Sequence, residues 1–295
     1  MRRIVAIGVF ALAFVLLVAP AGPVLGEDLP PGPVQRLRAT YEVIDPPAQF
    51  DLVQLVLDFA PGAFTPQHVH GGPGFVTVLE GEITLRAVGG MEHKVTTGEG
   101  WAETGEVHAG GNRGQSKARV MASFLIPPGA PVTTPVQTGE AGTLPPGPSV
   151  VAQYRTPLAS PPPMPYDVVH LLLDFPVGAF TPTHVHGGPG IVTVVDGQVG
   201  SRAVGIEYTY QAGESWLESG HFHAAGNRRS FKASVAAGFL LPKGASLTSL
   251  EPRARDGQGL STQSTAVQGM FVGAWGDHAA MRWVEEHEAA LARAG

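Results

Sequence analysis

The chain has 295 residues, of which 43% are hydrophobic and 15% charged, a composition typical of a globular protein with a buried core. Its formal net charge is −6 and it has no basic tract, which argues against a nucleic-acid partner. The absence of cysteine excludes disulfides, thiolate metal sites and cysteine nucleophiles, so histidine is the soft metal ligand that remains.

The first 26 residues have the layout of a secretory signal peptide. Arg2 and Arg3 precede an apolar stretch from Ile4 to Ala19, and small and helix-breaking residues follow. We expect cleavage near Gly26 and a secreted or periplasmic bacterial protein. The alternative is an uncleaved anchor, since this apolar stretch is only slightly shorter than a bilayer span; only in that case do we expect a membrane partner.

Two segments repeat each other over about eighty residues. FDLVQLVLDFAPGAFTPQHVHGGPG begins at Phe50, and YDVVHLLLDFPVGAFTPTHVHGGPG begins at Tyr166. In both, short β-branched runs alternate with turn residues, which predicts an all-β sandwich or barrel. The sequence predicts a first unit over 33–134, a Pro/Gly-rich linker over 135–150 and a second unit over 151–250.

The tail, residues 251–295, has no counterpart in the repeats. Residues 253–265 are typical of a loop. Residues 277–294 have helical spacing, with Asp277 as the candidate N-cap. We therefore predict a short C-terminal helix that caps a barrel or forms an interface.

Six of the eleven histidines occupy matching places in the two repeats. Residues i and i+2 of a strand project to the same face, so each His-Val-His pair points in one direction. A third histidine follows further along each repeat. The two sets are His68, His70 and His108, and His184, His186 and His223.

These spacings resemble the two-motif signature of the cupin superfamily over residues 35–250. The resemblance implies a bicupin: an all-β chain of two tandem cupin barrels, each a double-stranded β-helix or jelly roll. It further implies that the two histidines of the first motif and the one of the second hold a divalent metal in each barrel. The motif residues are Gly62, His68, His70, Gly74, Gly81, Gly98, Gly105, His108 and Asn112, then Gly178, His184, His186, Gly190, Gly197, Gly213, Gly220, His223 and Asn227.

One position departs from the family pattern in both repeats. Many metal-binding cupins have a glutamate where this chain has Gly74 and Gly190. Three neutral imidazoles disfavour Mn(II) and favour Fe, Zn, Cu or Ni, about one ion per barrel. Glu103 and Glu218, five residues before the third histidine of each set, are candidates to orient a ligand imidazole or to bind the ion directly. The alternative is a strand-end glutamate in water.

Four aromatic residues also match between the repeats: Phe64 and Trp101 in the first, and Phe180 and Trp216 in the second. Each is a candidate for the wall of a substrate pocket, and the alternative is ordinary core packing.

Three kinds of function remain open at this stage. The first hypothesis is an exported metal-dependent oxidoreductase, in particular a dioxygenase that acts on a small organic substrate. The second is a non-catalytic protein that binds a metal or a small ligand. The third is a metal-dependent decarboxylase, isomerase or zinc hydrolase, because a fold does not fix a function. The resemblance also implies a homodimer.

Overall fold

A computed structural model describes residues 30–87, 90–136, 145–158, 161–203 and 205–251. The strands confirm the all-β prediction. The predicted signal peptide (1–26) and C-terminal helix (277–294) lie outside the described residues. Within those residues, no helix is long and apolar enough to span a membrane.

Each repeat contributes ten strands in the same order. The first ten are β1 (Val34–Glu42), β2 (Phe50–Phe59), β3 (His68–His70), β4 (Gly74–Glu80), β5 (Glu82–Ala87), β6 (Glu92–Thr96), β7 (Gly100–Glu103), β8 (His108–Gly111), β9 (Ala118–Ile126) and β10 (Thr133–Pro135). The second ten are β11 (Ser149–Leu158), β12 (Tyr166–Phe175), β13 (His184–His186), β14 (Gly190–Asp196), β15 (Gln198–Ala203), β16 (Ile206–Gln211), β17 (Ser215–Glu218), β18 (His223–Gly226), β19 (Ala233–Pro242) and β20 (Thr248–Leu250).

The strands form four five-stranded antiparallel sheets, two in each barrel. The first barrel has the sheets β11-β2-β9-β4-β7 and β10-β3-β8-β5-β6. The second has β1-β12-β19-β14-β17 and β16-β15-β18-β13-β20. Inside each barrel the two sheets pack through an apolar cluster, for example Val53, Val76 and Ile83 in the first and Val169, Val192 and Val199 in the second. This arrangement is the jelly-roll barrel that the sequence predicts.

The hairpin between β4 and β5 shows how a turn residue fixes the local fold. Gly81 has φ +79°, a conformation that glycine adopts without steric cost. A Cβ at this position would also lie 2.8 Å from the carbonyl oxygen of Lys117. The matching Gly197 has φ +73° in the β14–β15 hairpin, so Glu80-Gly81 and Asp196-Gly197 form the same turn.

The first strand of each repeat pairs with the other repeat. β1 runs antiparallel to β12, with Val34 opposite Asp174 and Glu42 opposite Asp167. β11 runs antiparallel to β2 in the same way. Neither barrel therefore coincides with one sequence unit, 33–134 or 151–250, because each unit gives one edge strand to the opposite barrel.

The central sheets of the two barrels pack face to face through apolar side chains. Phe50 and Phe75 of the first barrel share one cluster with Tyr166 and Ile191 of the second. Burial of each such side chain contributes roughly 1.5–3 kcal/mol. With the exchanged strands, this contact joins the barrels through an extensive buried interface.

A buried polar network crosses the same interface. His170 Nδ1 lies 2.8 Å from Thr77 Oγ1 and its Nε2 lies 2.9 Å from Ser123 Oγ. At the matching place of the first repeat, Gln54 Nε2 donates to Thr193 Oγ1 at 2.7 Å. Both His170 and Gln54 are almost fully buried, so these hydrogen bonds hold the two sheets in one register.

Candidate metal centres

The sheet register brings the three matched histidines of each repeat together. In the first barrel His68 on β3 lies directly opposite His108 on β8, and His70 projects from the same face as His68. In the second barrel His184 lies opposite His223. One ring nitrogen from each member of a set lies within 4.8 Å of those of the other two, so each set is able to hold a metal ion.

Hydrogen bonds fix which ring nitrogen of each histidine faces the centre. The Nδ1 atoms of His68, His70 and His108 lie 2.8–2.9 Å from backbone carbonyl oxygens of Pro66, Val132 and Glu106. A carbonyl oxygen only accepts, so Nδ1 must donate its hydrogen. In its neutral form each ring then presents a bare Nε2 lone pair, the arrangement found in metal-ligating histidines.

The second barrel repeats these bonds. The Nδ1 atoms of its three histidines lie 2.8–2.9 Å from the carbonyl oxygens of Pro182, Leu247 and His221. The carbonyl partners therefore orient both trios in the same way.

A glutamate carboxylate reaches the Nε2 side of both trios. Glu103 Oε2 lies 2.9 Å from His70 Nε2, and its Oε1 lies 3.0 Å from His108 Nε2. In the second barrel Glu218 lies 3.1 Å from His186 Nε2 and 3.3 Å from His223 Nε2. The structure thus places both glutamates inside the barrels and not in water.

The cross-strand register explains why the usual glutamate position is glycine. Gly74 on β4 lies opposite Glu103 on β7, and Gly190 lies opposite Glu218. A Cβ at Gly74 would lie 2.4 Å from the ring of Phe124 and 3.1 Å from Glu103 Oε2. The neighbouring strand therefore supplies the carboxylate, and the space for a side chain at residue 74 is already taken.

Two buried polar atoms at these centres have no hydrogen-bond partner among the described residues: Glu103 Oε2 and His223 Nε2. Both lie close to other polar atoms, but the contacts do not have the direction of a hydrogen bond. Burial of a bare acceptor is costly unless a proton or a cation satisfies it. The residues therefore fit a bound cation at the point where the Nε2 atoms and the carboxylate meet.

The charge state of the side chains favours the same occupant. Burial raises the pKa of Glu103, but the imidazoles of His108 and His70 outweigh it and hold the pKa well below its usual range. Burial lowers the pKa of His68 and lowers that of His184 to about 4. The glutamate is thus an anion and these two imidazoles are neutral, which are the forms that bind metals. Burial also lowers the pKa of His108, but the Glu103 carboxylate outweighs it and raises that pKa, so an ion would displace the proton on this ring.

The four matched aromatic residues have two different placements. Trp101 Nε1–H donates to Glu103 Oε1 at 2.8 Å, and Trp216 Nε1–H donates to Glu218 Oε1 at 3.0 Å. The tryptophans therefore position the carboxylates, a role that sequence reasoning missed. The Trp-x-Glu spacing carries this signal, since residues i and i+2 of a strand share a face.

The phenylalanines lie elsewhere. Phe64 packs on Gly111, where a Cβ would lie 2.1 Å from its ring, and Arg113 covers the ring at 5.2 Å. Phe180 packs in the same way on Gly226, beneath Arg228. Phe64 is not among the residues that line the cavity described next, although its neighbour Thr65 is.

A cavity of about 300 Å³ opens beside the first trio. Its ionisable lining residues are the three histidines and Glu103, and the remaining wall is largely aliphatic and aromatic. A mainly apolar cavity with a few convergent polar groups is typical of a small-molecule site. The apolar wall includes Leu55, Leu57, Val76, Ile83, Leu85, Trp101, Val120 and Phe124.

Comparison with known proteins identifies the family of one segment of the first barrel. Residues 55–131 match the family model described as "Cupin domain". The comparison with curated proteins found no match.

Among solved structures, a mutant oxalate decarboxylase from Bacillus subtilis is similar with a TM-score of 0.49 and 13% identity, covering 81% of this chain and 84% of that one. AerE from Microcystis aeruginosa is similar with a TM-score of 0.44 and 15% identity, covering 72% and 98%. The match to the family model lies within the first barrel, and the second barrel repeats its strands and its histidines. Residues 55–131 are thus a cupin domain, and the chain has two barrels of this architecture in tandem.

Proposed function

We propose that this bicupin is a metal-dependent oxidoreductase of the dioxygenase type, with one divalent ion in each barrel and a small organic substrate in the first. The observation that carries the proposal is the convergence of three Nε2 atoms and one carboxylate beside an apolar cavity. Export to the periplasm or the exterior belongs to the proposal and rests on residues 1–26 alone.

The proposed ligand set is three histidines and one glutamate in each barrel. Glu103 joins His68, His70 and His108, and Glu218 joins His184, His186 and His223. The carboxylate reduces the net charge of a divalent site from +2 to +1. It also weakens the argument against Mn(II) that three neutral imidazoles provide, because Mn(II) accepts carboxylate oxygen readily.

The residues around the cavity have distinct tasks. A bound redox-active ion would supply the one-electron chemistry that dioxygen requires. The carbonyls of Pro66, Val132 and Glu106 hold the ligand rings, and Trp101 holds the carboxylate. The apolar wall excludes water from the substrate. Since the ionisable lining residues are all proposed ligands, redox chemistry fits this cavity better than a reaction that needs a separate acid or base.

Removal of the carboxylates should weaken metal binding. We expect the double variant Glu103→Gln and Glu218→Gln to lose at least about tenfold in zinc affinity per site, because the amide keeps the shape but not the charge. Zinc dissociation constants, measured by competition with a chelator, check this. The matched control is Glu80→Gln, which removes an exposed carboxylate from the end of β4. Unchanged affinity in the double variant would place both glutamates outside the ligand set.

Oxygen uptake tests the proposed reaction. We expect the full chain loaded with Fe(II) or Cu(II) to consume dioxygen with a phenolic or diketone substrate, in proportion to substrate lost. His70→Ala should abolish uptake, because it removes a proposed ligand of the first barrel. Absence of uptake with every redox-active metal bound would count against the dioxygenase.

Non-catalytic metal binding is the second candidate, and one observation favours it for the second barrel. The His108 side chain of the first barrel is 15% exposed and that of the matching His223 is 6% exposed, whereas His70 and His186 are buried alike, at 6% and 8%. An ion in the second barrel would be held out of reach of a substrate.

A further inference from the structure

We infer that the two barrels divide their roles, and that one matched position decides which of them admits a substrate. This position is Val95 in the first barrel and Tyr210 in the second. The first barrel takes a mainly apolar molecule with one or two oxygen donors, uncharged or singly charged, and the second holds its ion without a substrate. The inference rests on the proposed function for the metal, but the choice of barrel rests on packing alone.

The register shows that Val95 and Tyr210 are equivalent and point inward. Val95 on β6 lies opposite Ile83 on β5, and Tyr210 on β16 lies opposite Val199 on β15. Ile83 and Val199 are 1% and 0% exposed and belong to the cores of their barrels. Directly opposed residues of an antiparallel pair share one face, so both side chains lie on the interior face.

At this position the second barrel has an aromatic ring, whereas the first has only a valine opposite the cavity-lining Ile83. The Tyr210 ring stacks on Trp216 with 4.4 Å between ring centroids and 21° between planes. Burial raises the pKa of the Tyr210 hydroxyl to about 12, in keeping with this enclosed position. In the first barrel the matching Trp101 lines the cavity, together with Ile83.

The exposure of one matched pair of histidines agrees with this difference. The His108 side chain is 15% exposed, and that of the matching His223 is 6% exposed. The first ion site therefore has an approach from the cavity beside His108, whereas at the matching wall of the second barrel the Tyr210 ring packs on Trp216.

The cavity wall indicates the substrate class. Apart from the proposed ligands, its polar side chains are Thr65 and Thr133, and the Thr65 hydroxyl already accepts the Gly110 N–H at 2.9 Å. The Glu103 carboxylate lies at the ion and would repel a dianion. A volume of about 300 Å³ exceeds the roughly 150 Å³ in which a benzene molecule fits. A phenol or a diketone with an apolar body of one or two rings satisfies these limits.

Reciprocal substitutions test the inference with 1-naphthol as the probe and oxalate as the dianionic comparison. Calorimetric titration of the zinc-loaded full chain measures stoichiometry and affinity without turnover. We expect one naphthol per chain, and much weaker binding of oxalate. Val95→Tyr should weaken naphthol binding about tenfold or more, because a ring then occupies the cavity. Tyr210→Val should raise the stoichiometry toward two per chain.

Two controls keep these outcomes interpretable. Val95→Thr keeps the shape of valine and should bind like the natural chain, and Tyr210→Phe keeps the ring and should still bind one naphthol. Thermal midpoints and zinc content show that each variant is folded and loaded. Two naphthols on the natural chain, unchanged binding in folded Val95→Tyr, or tighter binding of oxalate would overturn the inference. If zinc does not bind, the proposed function fails, and the same titrations on metal-free protein still decide which barrel admits naphthol.

Discussion

The two halves of the chain, produced separately as residues 27–140 and 141–295, are expected not to form stable folded monomers. Each half then carries an edge strand that belongs to the other half. β2 loses its pairing with β11, and β12 loses its pairing with β1. The apolar faces around Phe75 and Ile191 also become exposed to water. The loss is comparable with the whole stability of a small domain, about 5–15 kcal/mol.

The structure also says what an isolated half does instead. β1 and β11 occupy matching places at the start of each repeat, so β1 of one copy can pair with β2 of a second copy. We expect aggregation or a strand-exchanged homodimer, and a folded heterodimer when both halves are produced together. Analytical ultracentrifugation and circular dichroism distinguish these states. As the control, the full chain cleaved between residues 137 and 144 should stay associated. A monomeric half that unfolds as cooperatively as the full chain would contradict the exchanged strands as a source of stability.

The fold could be predicted from the sequence as far as local patterns reach. The duplicated strands and turn glycines gave the all-β class and the cupin resemblance, and both are confirmed. The exchange of β1 and β11 could not be predicted. β2 and β12 have nearly the same apolar pattern, so each presents an equally suitable edge to β1. Pairing between distant segments depends on how the barrels pack, which single-sequence patterns do not record.

The candidate site shows the same limit. The histidine trios followed from spacing, because two members of each share one strand face and the third repeats in both copies. The position of Glu103 stayed open, since a glutamate at a strand end is ordinarily solvated. Glu103 is held inside the barrel by the hydrogen bond from Trp101 and by the space that Gly74 leaves on the neighbouring strand. The pairing with Gly74 is a contact across strands, which sequence patterns do not record. The placement of Phe64 could not be predicted either, because its ring packs on the backbone of Gly111, which is distant in sequence.

Replacement of His170 by glutamine should make the protein less sensitive to acid. His170 is fully buried between the barrels, and burial lowers its pKa to about 3. The unfolded chain protonates this side chain near pH 6.5, so between about pH 6.5 and 3 the unfolded state binds more protons than the folded state. Stability therefore falls as the pH is lowered, by at most about 5 kcal/mol from this residue alone. His170→Gln removes that contribution, since glutamine does not titrate.

The first repeat shows that glutamine suits this place, because Gln54 makes the matching contact with Thr193. The groups that face His170 are the Thr77 and Ser123 hydroxyls and the ring of Tyr41, whose pKa is raised by burial, so none of them titrates between pH 3 and 7. Urea unfolding of metal-free natural and variant chains from pH 8 to pH 4 measures the difference. As the pH falls, the unfolding free energy of the natural chain should decrease more than that of the variant. His93→Gln, which replaces an exposed histidine on β6, is the matched control. If both variants shift equally, the acid response does not originate at the interface between the barrels.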